Sequence, residues 1–188
     1  MAKREIVLYP DPVLAKRAEE VREVTDATRQ LIDDMVETMY AAPGIGLAAN
    51  QIGVLERVVV MDIAPAEEPR DLRVFINPVI TKREGKITWE EGCLSIPGIY
   101  EKVDRSSKLT VQALDRDGKP FELEADGLLA VCIQHEIDHI DGVVFLDRIS
   151  MLKRRMALKR YKRVLERRAR GEDDAGDVRG ERDEREEA

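Results

Sequence analysis

The sequence predicts an α+β fold, with mostly antiparallel strands around one central buried helix and a further helix at the C-terminal end. Three observations point there. Short runs rich in Val and Ile recur between Pro, Gly and Asp punctuation, the pattern of strands and turns. The stretch Leu128 to His139 keeps helical apolar spacing and contains the only two histidines of the chain. The segment Met151 to Arg170 also holds helical spacing but is crowded with Lys and Arg.

Taken in order, "IVLY" (6–9) reads as a short strand closed by Pro10 and Pro12. Thr25 to Ala42 reads as a helix, with Leu31, Ile32, Met35, Val36 and Met39 at core-facing spacing and Pro43 and Gly44 ending it. "RVVVMDI" (57–63) is a buried strand and "APAEEPRD" (64–71) an exposed loop. "RVFINPVI" (73–80) and "GKITW" (85–89) are strands. "SKLTVQALD" and "KPFELEA" form a hairpin around Asp115 to Gly118, where Asp-Gly signals the turn. The histidine-bearing helix follows, then "VVFLDRI", then the basic helix. There Met151, Leu152, Met156, Leu158, Tyr161, Val164 and Leu165 allow one side to dock while cations face out.

A chain of 188 residues bounds one domain, placed at 1–170. Residues 171–188 are nearly devoid of apolar side chains and read as a disordered acidic tail. No run of apolar residues is long enough to span a membrane, and the start does not read as a secretory signal. A cytoplasmic, reducing setting is therefore expected, which disfavours a disulfide between Cys93 and Cys132. The net charge of −7 argues against DNA binding but hides an asymmetry. Met151 to Arg170 is net +9, Gly171 to Ala188 net −6, and the remainder net −10.

The chemistry centres on "VCIQHEIDHIDG". His135 and His139 lie one turn apart on a helix, so both imidazoles can reach one ion. Leu128, Val131 and Cys132 share their stripe, and Gly142 sits where a helix stops. Glu136 is offset by one position. It can reach a water at the ion without being a ligand, the general-base role of the His-Glu-x-x-His arrangement.

A third ligand is needed. In the metalloprotease pattern that continues to a third histidine, Gly142 fits, but that position is Phe145, which cannot bind metal. A downstream Glu is offered only by Glu166, inside the basic run, where a solvated helix face explains it better. Cys132 and His139 are seven apart, about 10.5 Å along a helix, too far for bonds of about 2.0–2.3 Å. Cys132 fits better as a buried filler. Cys93, in "WEEGCLSIPG", lies outside any helical period and can approach from another element. With His135 and His139 it makes a three-ligand site with an open position, the pattern of a catalytic metal.

"PGIGLAANQIG" (43–53) lets backbone approach a ligand closely. It lacks the third glycine of a dinucleotide fingerprint and the Lys-Ser/Thr of a phosphate loop. Gln51 can donate an amide hydrogen bond to a developing oxyanion or simply brace the loop.

Together Gly44-Ile45-Gly46-Leu47-Ala48-Ala49-Asn50-Gln51, Glu91-Gly92-Cys93-Leu94-Ser95 and Gln134-His135-Glu136-Ile137-Asp138-His139 resemble the three signature motifs of peptide deformylases, in order and at similar spacing. The resemblance covers residues 4 to 165. It implies metal-dependent removal of the N-formyl group from the formyl-methionine of newly made polypeptides, with release of formate. It assigns Cys93, His135 and His139 to the metal, and Glu136, Gln51 and the Leu94 backbone N–H to catalysis. Ile45 and Gly46 would line the substrate cleft. Leu128 and Val131, with Cys132 near them, would take the methionine side chain. The family also implies ferrous iron, Fe(2+), one per chain, with Zn(2+), Ni(2+) or Co(2+) able to substitute. It implies a basic C-terminal helix that contacts the ribosome where nascent peptides emerge. Two other readings stand beside this one: a zinc metalloprotease of the His-Glu-x-x-His type, and a non-catalytic binding module stabilised by a structural metal. No fourth protein ligand is evident for the latter.

Overall fold

The computed structural model describes residues 2–65 and 67–171. The expected acidic tail, 171–188, falls outside these apart from Gly171. Helix α1 spans Asp26–Ala41, opened by Thr25, whose hydroxyl accepts from the Thr28 N–H. Its face of Ile32, Met35 and Met39 is fully buried. Strands β1 (Gly46–Ala48), β2 (Val58–Met61), β3 (Arg73–Glu84), β6 (Lys108–Leu114) and β7 (Pro120–Asp126) form one antiparallel sheet in the order β1-β2-β3-β6-β7. Strands β4 (Ile87–Cys93) and β5 (Ile96–Arg105) form a separate antiparallel pair.

The sequence of β2 explains how the layers stack. Val58 and Val60 join the α1 cluster, whereas Val59 and Met61 face the second helix, α2 (Gly127–Ile140). Both faces of the strand are covered, so all four residues are apolar and buried. Helix α2 packs Ala130, Ile133, Ile137 and Ile140 against Val59, Met61, Phe75 and Val111. A third cluster joins β5 and the segment Val144–Leu146 to helix α3 (Met151–Ala169) through Ala157 and Tyr161. Helix α2 is capped by Asp141 and turned away at Gly142, which holds φ +78°, and a Cβ there would lie 2.7 Å from the Ala15 carbonyl oxygen.

Several expectations are corrected. The segment Ile6–Tyr9 is no strand of either sheet. Its Val7 and Tyr9 N–H groups bond the carbonyls of Gln51 and Ser95, in a turn and a strand-to-strand connection that offer no ladder to extend. Strand β5 was not anticipated, because Pro97, Gly98 and interspersed charges break its apolar alternation. Strand β4 runs on to Cys93, and β3 continues through its charged end, where it still pairs with β6. "VVFLDRI", for which the sequence predicts no element, holds a 3-10 turn, Phe145–Asp147. On α3, Leu158, Tyr161, Val164 and Leu165 pack inward as expected, joined by the unanticipated Ala157, but Met151, Leu152 and Met156 are 89, 69 and 51% exposed. Leu152 and Met156 project opposite the Tyr161 face, so they cannot share its contacts.

Candidate metal centre

Two elements far apart in sequence build the site. Cys93 closes β4 just after a register shift at Gly92, and His135 and His139 project from one face of α2. The His139 Nε2 lies 3.2 Å from the Cys93 Sγ and 3.2 Å from the His135 Nε2. All three donor atoms fall within 4.8 Å of one another. An ion bound at about 2.0–2.3 Å to each of three ligands needs donors roughly 3–4 Å apart, so the trio fits one divalent cation. The mixed sulfur and imidazole donors suit zinc, ferrous iron, cobalt or nickel.

The second layer of residues sets the orientation of the first. The His135 Nδ1–H donates to Glu91 Oε2 at 2.8 Å, which leaves Nε2 free to face the other donors. Glu91 is held in turn by Arg105 at 2.7 and 2.9 Å. Arg105 also reaches Asp138 at 2.6 Å, and Arg148 grips Asp138 from outside at 2.5 and 3.0 Å. Burial pushes the Glu91 carboxyl up, but its bonds to Arg105 and His135 prevail and bring it down to about 2. Burial holds the neighbouring His139 well below the usual histidine range, whereas for His135 burial is outweighed by its bonds to Cys93 and Glu91, which hold it well above that range.

Glu136 is 4% exposed, and burial pushes its carboxyl up to about 7. It packs against the bare Cα of Gly46. A Cβ on Gly46 would come within 2.4 Å of Glu136 Oε1. On the other side of the cleft, Gln51 donates through Nε2 to Ser95 Oγ at 3.1 Å and to Cys93 Sγ at 3.5 Å. Its Oε1 accepts from the Ala48 N–H at 2.9 Å.

A cleft of about 630 Å³ brings the sequence-derived residues together. Ile45, Gly46, Gln51, Cys93, Leu94, Leu128, Val131, Cys132, His135 and Glu136 all line it. His139 lies beneath the lining, fully buried. Cys132 is a free, buried thiol whose Sγ–H faces the Ile45 carbonyl at 3.8 Å, and Cys93 is also free. Phe145, the position at which one protease pattern carries its third histidine, stacks on the His135 ring with centroids 6.2 Å apart. Sequence reasoning missed Arg105 and Asp138 as supports, and Trp89, Tyr100 and Arg168 as cleft walls. Glu91 stood in a quoted motif without a role. Its place before Gly92 and Cys93 was the available signal.

A buried glutamate beside a cysteine sulfur and two imidazoles, set at the floor of one cleft, is the arrangement of a mononuclear metal hydrolase. The sequence model of the polypeptide deformylase family matches residues 3–155, and the chain belongs to that family. The peptide deformylase of Alkalilimnicola ehrlichii is 56% identical over 167 residues, 89% of this chain and 91% of that protein. The crystal structure of a peptide deformylase from Legionella pneumophila superposes with a TM-score of 0.85 at 47% identity, over 90% of this chain and 99% of that one. A peptide deformylase from Ehrlichia chaffeensis, solved in complex with actinonin, gives a TM-score of 0.82 at 41% identity, over 87% and 98%.

Proposed function

We propose that this chain hydrolyses the N-formyl group of formyl-methionyl peptides, with Cys93, His135 and His139 holding one divalent metal. The observation that carries this reading is the convergence of those three donor atoms at the cleft beside the Glu136 carboxylate. When bound, the metal supplies Lewis-acid chemistry, acidifying a water and polarising the formyl carbonyl. Glu136 takes the proton of the attacking water and returns it to the amine nitrogen as the C–N bond breaks, leaving formate and a free amino terminus. The Gln51 amide and the Leu94 N–H donate to the oxygen on which charge develops. Leu128 and Val131, beside Cys132, form the apolar seat for the methionine side chain, and Ile45 and Gly46 align the peptide backbone. Ferrous iron is our first choice of ion, on family resemblance alone, since the donors suit zinc, cobalt or nickel as well.

We further propose a cytoplasmic setting and contact between α3 and ribosomal RNA. No helix among the described residues is long and apolar enough to cross a membrane. Helix α3 turns Arg155, Lys159, Lys162 and Arg163 to solvent, a surface suited to backbone phosphates.

The test is formate release from a formyl-Met tripeptide, measured on protein stripped of metal and on protein reloaded with one equivalent. Release that depends on the reloaded ion supports the reading. Cleavage of internal peptide bonds instead would favour a protease, and stoichiometric metal with no hydrolysis would favour a structural site.

A further inference from the structure

Consecutive residues of one short turn reach toward two different members of the ligand trio. The 3-10 turn Ala49–Ile52 sends Gln51 to the Cys93 sulfur, as described, and sends Asn50 the other way, into the end of α2. There the Asn50 Nδ2 donates to the His139 carbonyl at 2.5 Å, across 89 residues of sequence. Both Asn50 and His139 are 0% exposed. That carbonyl lies in the last turn of the helix, where backbone oxygens lack their usual helical partners, and it also accepts from the Gly142 N–H at 2.9 Å. The anchor therefore acts on the main chain of the residue whose ring faces Cys93 and His135.

A second observation concerns the same two residues. Among buried side-chain polar atoms of the described residues, three find no hydrogen-bond partner within the protein: Asn50 Oδ1, His139 Nδ1 and Glu136 Oε2. Two of the three belong to the residues that make this contact, though not to the bonded atoms themselves. His135 has its orienting acceptor in Glu91, whereas His139 has no protein group at its Nδ1. A ligand histidine without such a partner is held by its backbone and by packing alone. The side chain that holds the His139 backbone is that of Asn50.

We propose that Asn50 is a positioning residue for the metal. Its carboxamide fixes the His139 main chain, and hence the Nε2, where Glu91 fixes His135 through the ring. The turn Ala49–Ile52 is then a single clamp that sets Cys93 and His139 against each other, with its two amides pulling on a strand end and a helix end. The inference rests on Cys93, His135 and His139 being the ligands. It adds a residue that touches neither the ion nor the substrate.

The test uses full-length protein stripped of metal and titrated with Co(II), for wild type, Asn50→Ala and Asn50→Ser. Serine keeps a polar group but stops short of the His139 carbonyl, and it carries the test if the alanine variant does not fold. Affinity is read by competition with a chromogenic chelator, and geometry by the thiolate-to-cobalt charge-transfer and ligand-field bands. The expected result is a loss of affinity of about 10- to 100-fold, the range for outer partners of metal ligands, with altered ligand-field bands and a retained thiolate band. Asn77→Ala is the control. Asn77 likewise anchors main chain through its amide, with two bonds to Val21 at 2.8 and 2.9 Å, away from the cleft. It should lower thermal stability without moving cobalt affinity. Asn50 variants that lose stability like the control but keep wild-type affinity and spectra overturn the proposal. A wild-type protein that binds cobalt with no thiolate band removes the ligand assignment itself, and the proposal with it.

Discussion

His135 donates to Glu91 at 2.8 Å, and Glu91 is locked on its far side by two bonds from Arg105. The carboxylate is thus shared between a ligand ring and a buried guanidinium, so its loss is felt at the metal and in the core together. Glu91→Gln should weaken metal binding about 10- to 100-fold, measured by chelator competition. It should also change acid stability. The folded carboxyl titrates at about 2, below its ordinary value of 4.5. Its stabilising contribution is therefore complete above about pH 4.5 and disappears as the pH falls toward 2. Denaturant midpoints of metal-free protein across that window should fall less steeply for Glu91→Gln than for wild type. Equal slopes would show that the carboxylate does not carry this linkage.

The base should be separable from the ligands. Glu136→Gln keeps the side-chain size and should keep metal content near wild type, while the deformylation rate drops by at least about 10²-fold. Gly46→Ala tests the same group from the side, since the new Cβ would meet Glu136 Oε1 at 2.4 Å. Displacing a reacting group by about 1 Å costs on the order of 10²-fold in rate. Full activity in metal-loaded Glu136→Gln would remove the glutamate from the mechanism.

The two cysteines should part company. Cys93→Ser exchanges a thiolate for a poor donor, so metal analysis should find the site largely empty after dialysis. Cys132→Ser keeps Cys93 and both histidines and should hold its ion. Its effect should appear in peptide KM or in thermal stability, because the thiol is buried in the cleft wall. The opposite pattern would mean that the ligand trio is misassigned.

For α3, charge reversal is a cleaner test than truncation. Removing the helix would strip Ala157 and Tyr161, 0 and 3% exposed, from the cluster that contains Ile96, Ile99 and Phe145. Truncation after Ile149 should therefore unfold or strongly destabilise the enzyme. A Lys159→Glu, Arg163→Glu pair alters only exposed positions. It should leave formyl-peptide turnover unchanged and lower ribosome co-sedimentation, with a shallower salt dependence than wild type. Unchanged co-sedimentation at matched salt would exclude this face as the anchor.

The parts of the site governed by local geometry were legible in the sequence. The four-residue step from His135 to His139 places both rings on one face of any helix, and the same rise disqualified Cys132, leaving Cys93. Leu128 and Val131 followed from the same periodicity. Arg105 and Asp138 were illegible because their partners are set by how a two-stranded sheet leans on α2, which no local pattern encodes. The outward turn of Leu152 and Met156 was missed for a related reason. Their spacing suits a docked helix, and only the phase fixed by Tyr161 shows which side docks. Strand β5 was hidden because one of its faces meets α3 and carries isolated apolar residues between charges, so the period-two signal is diluted.

The Tyr161 hydroxyl donates to the Tyr9 carbonyl at 3.0 Å, joining positions 152 residues apart. Tyr9 in turn donates its N–H to Ser95, two residues from the Cys93 sulfur. The segment around Tyr9 is thus fastened by α3, and both abut the strand that carries Cys93. During synthesis this closure waits for residue 161 to leave the translating machinery. An enzyme whose substrates are newborn chains is, by this wiring, itself unclasped at Tyr9 until a residue 152 positions further along has emerged.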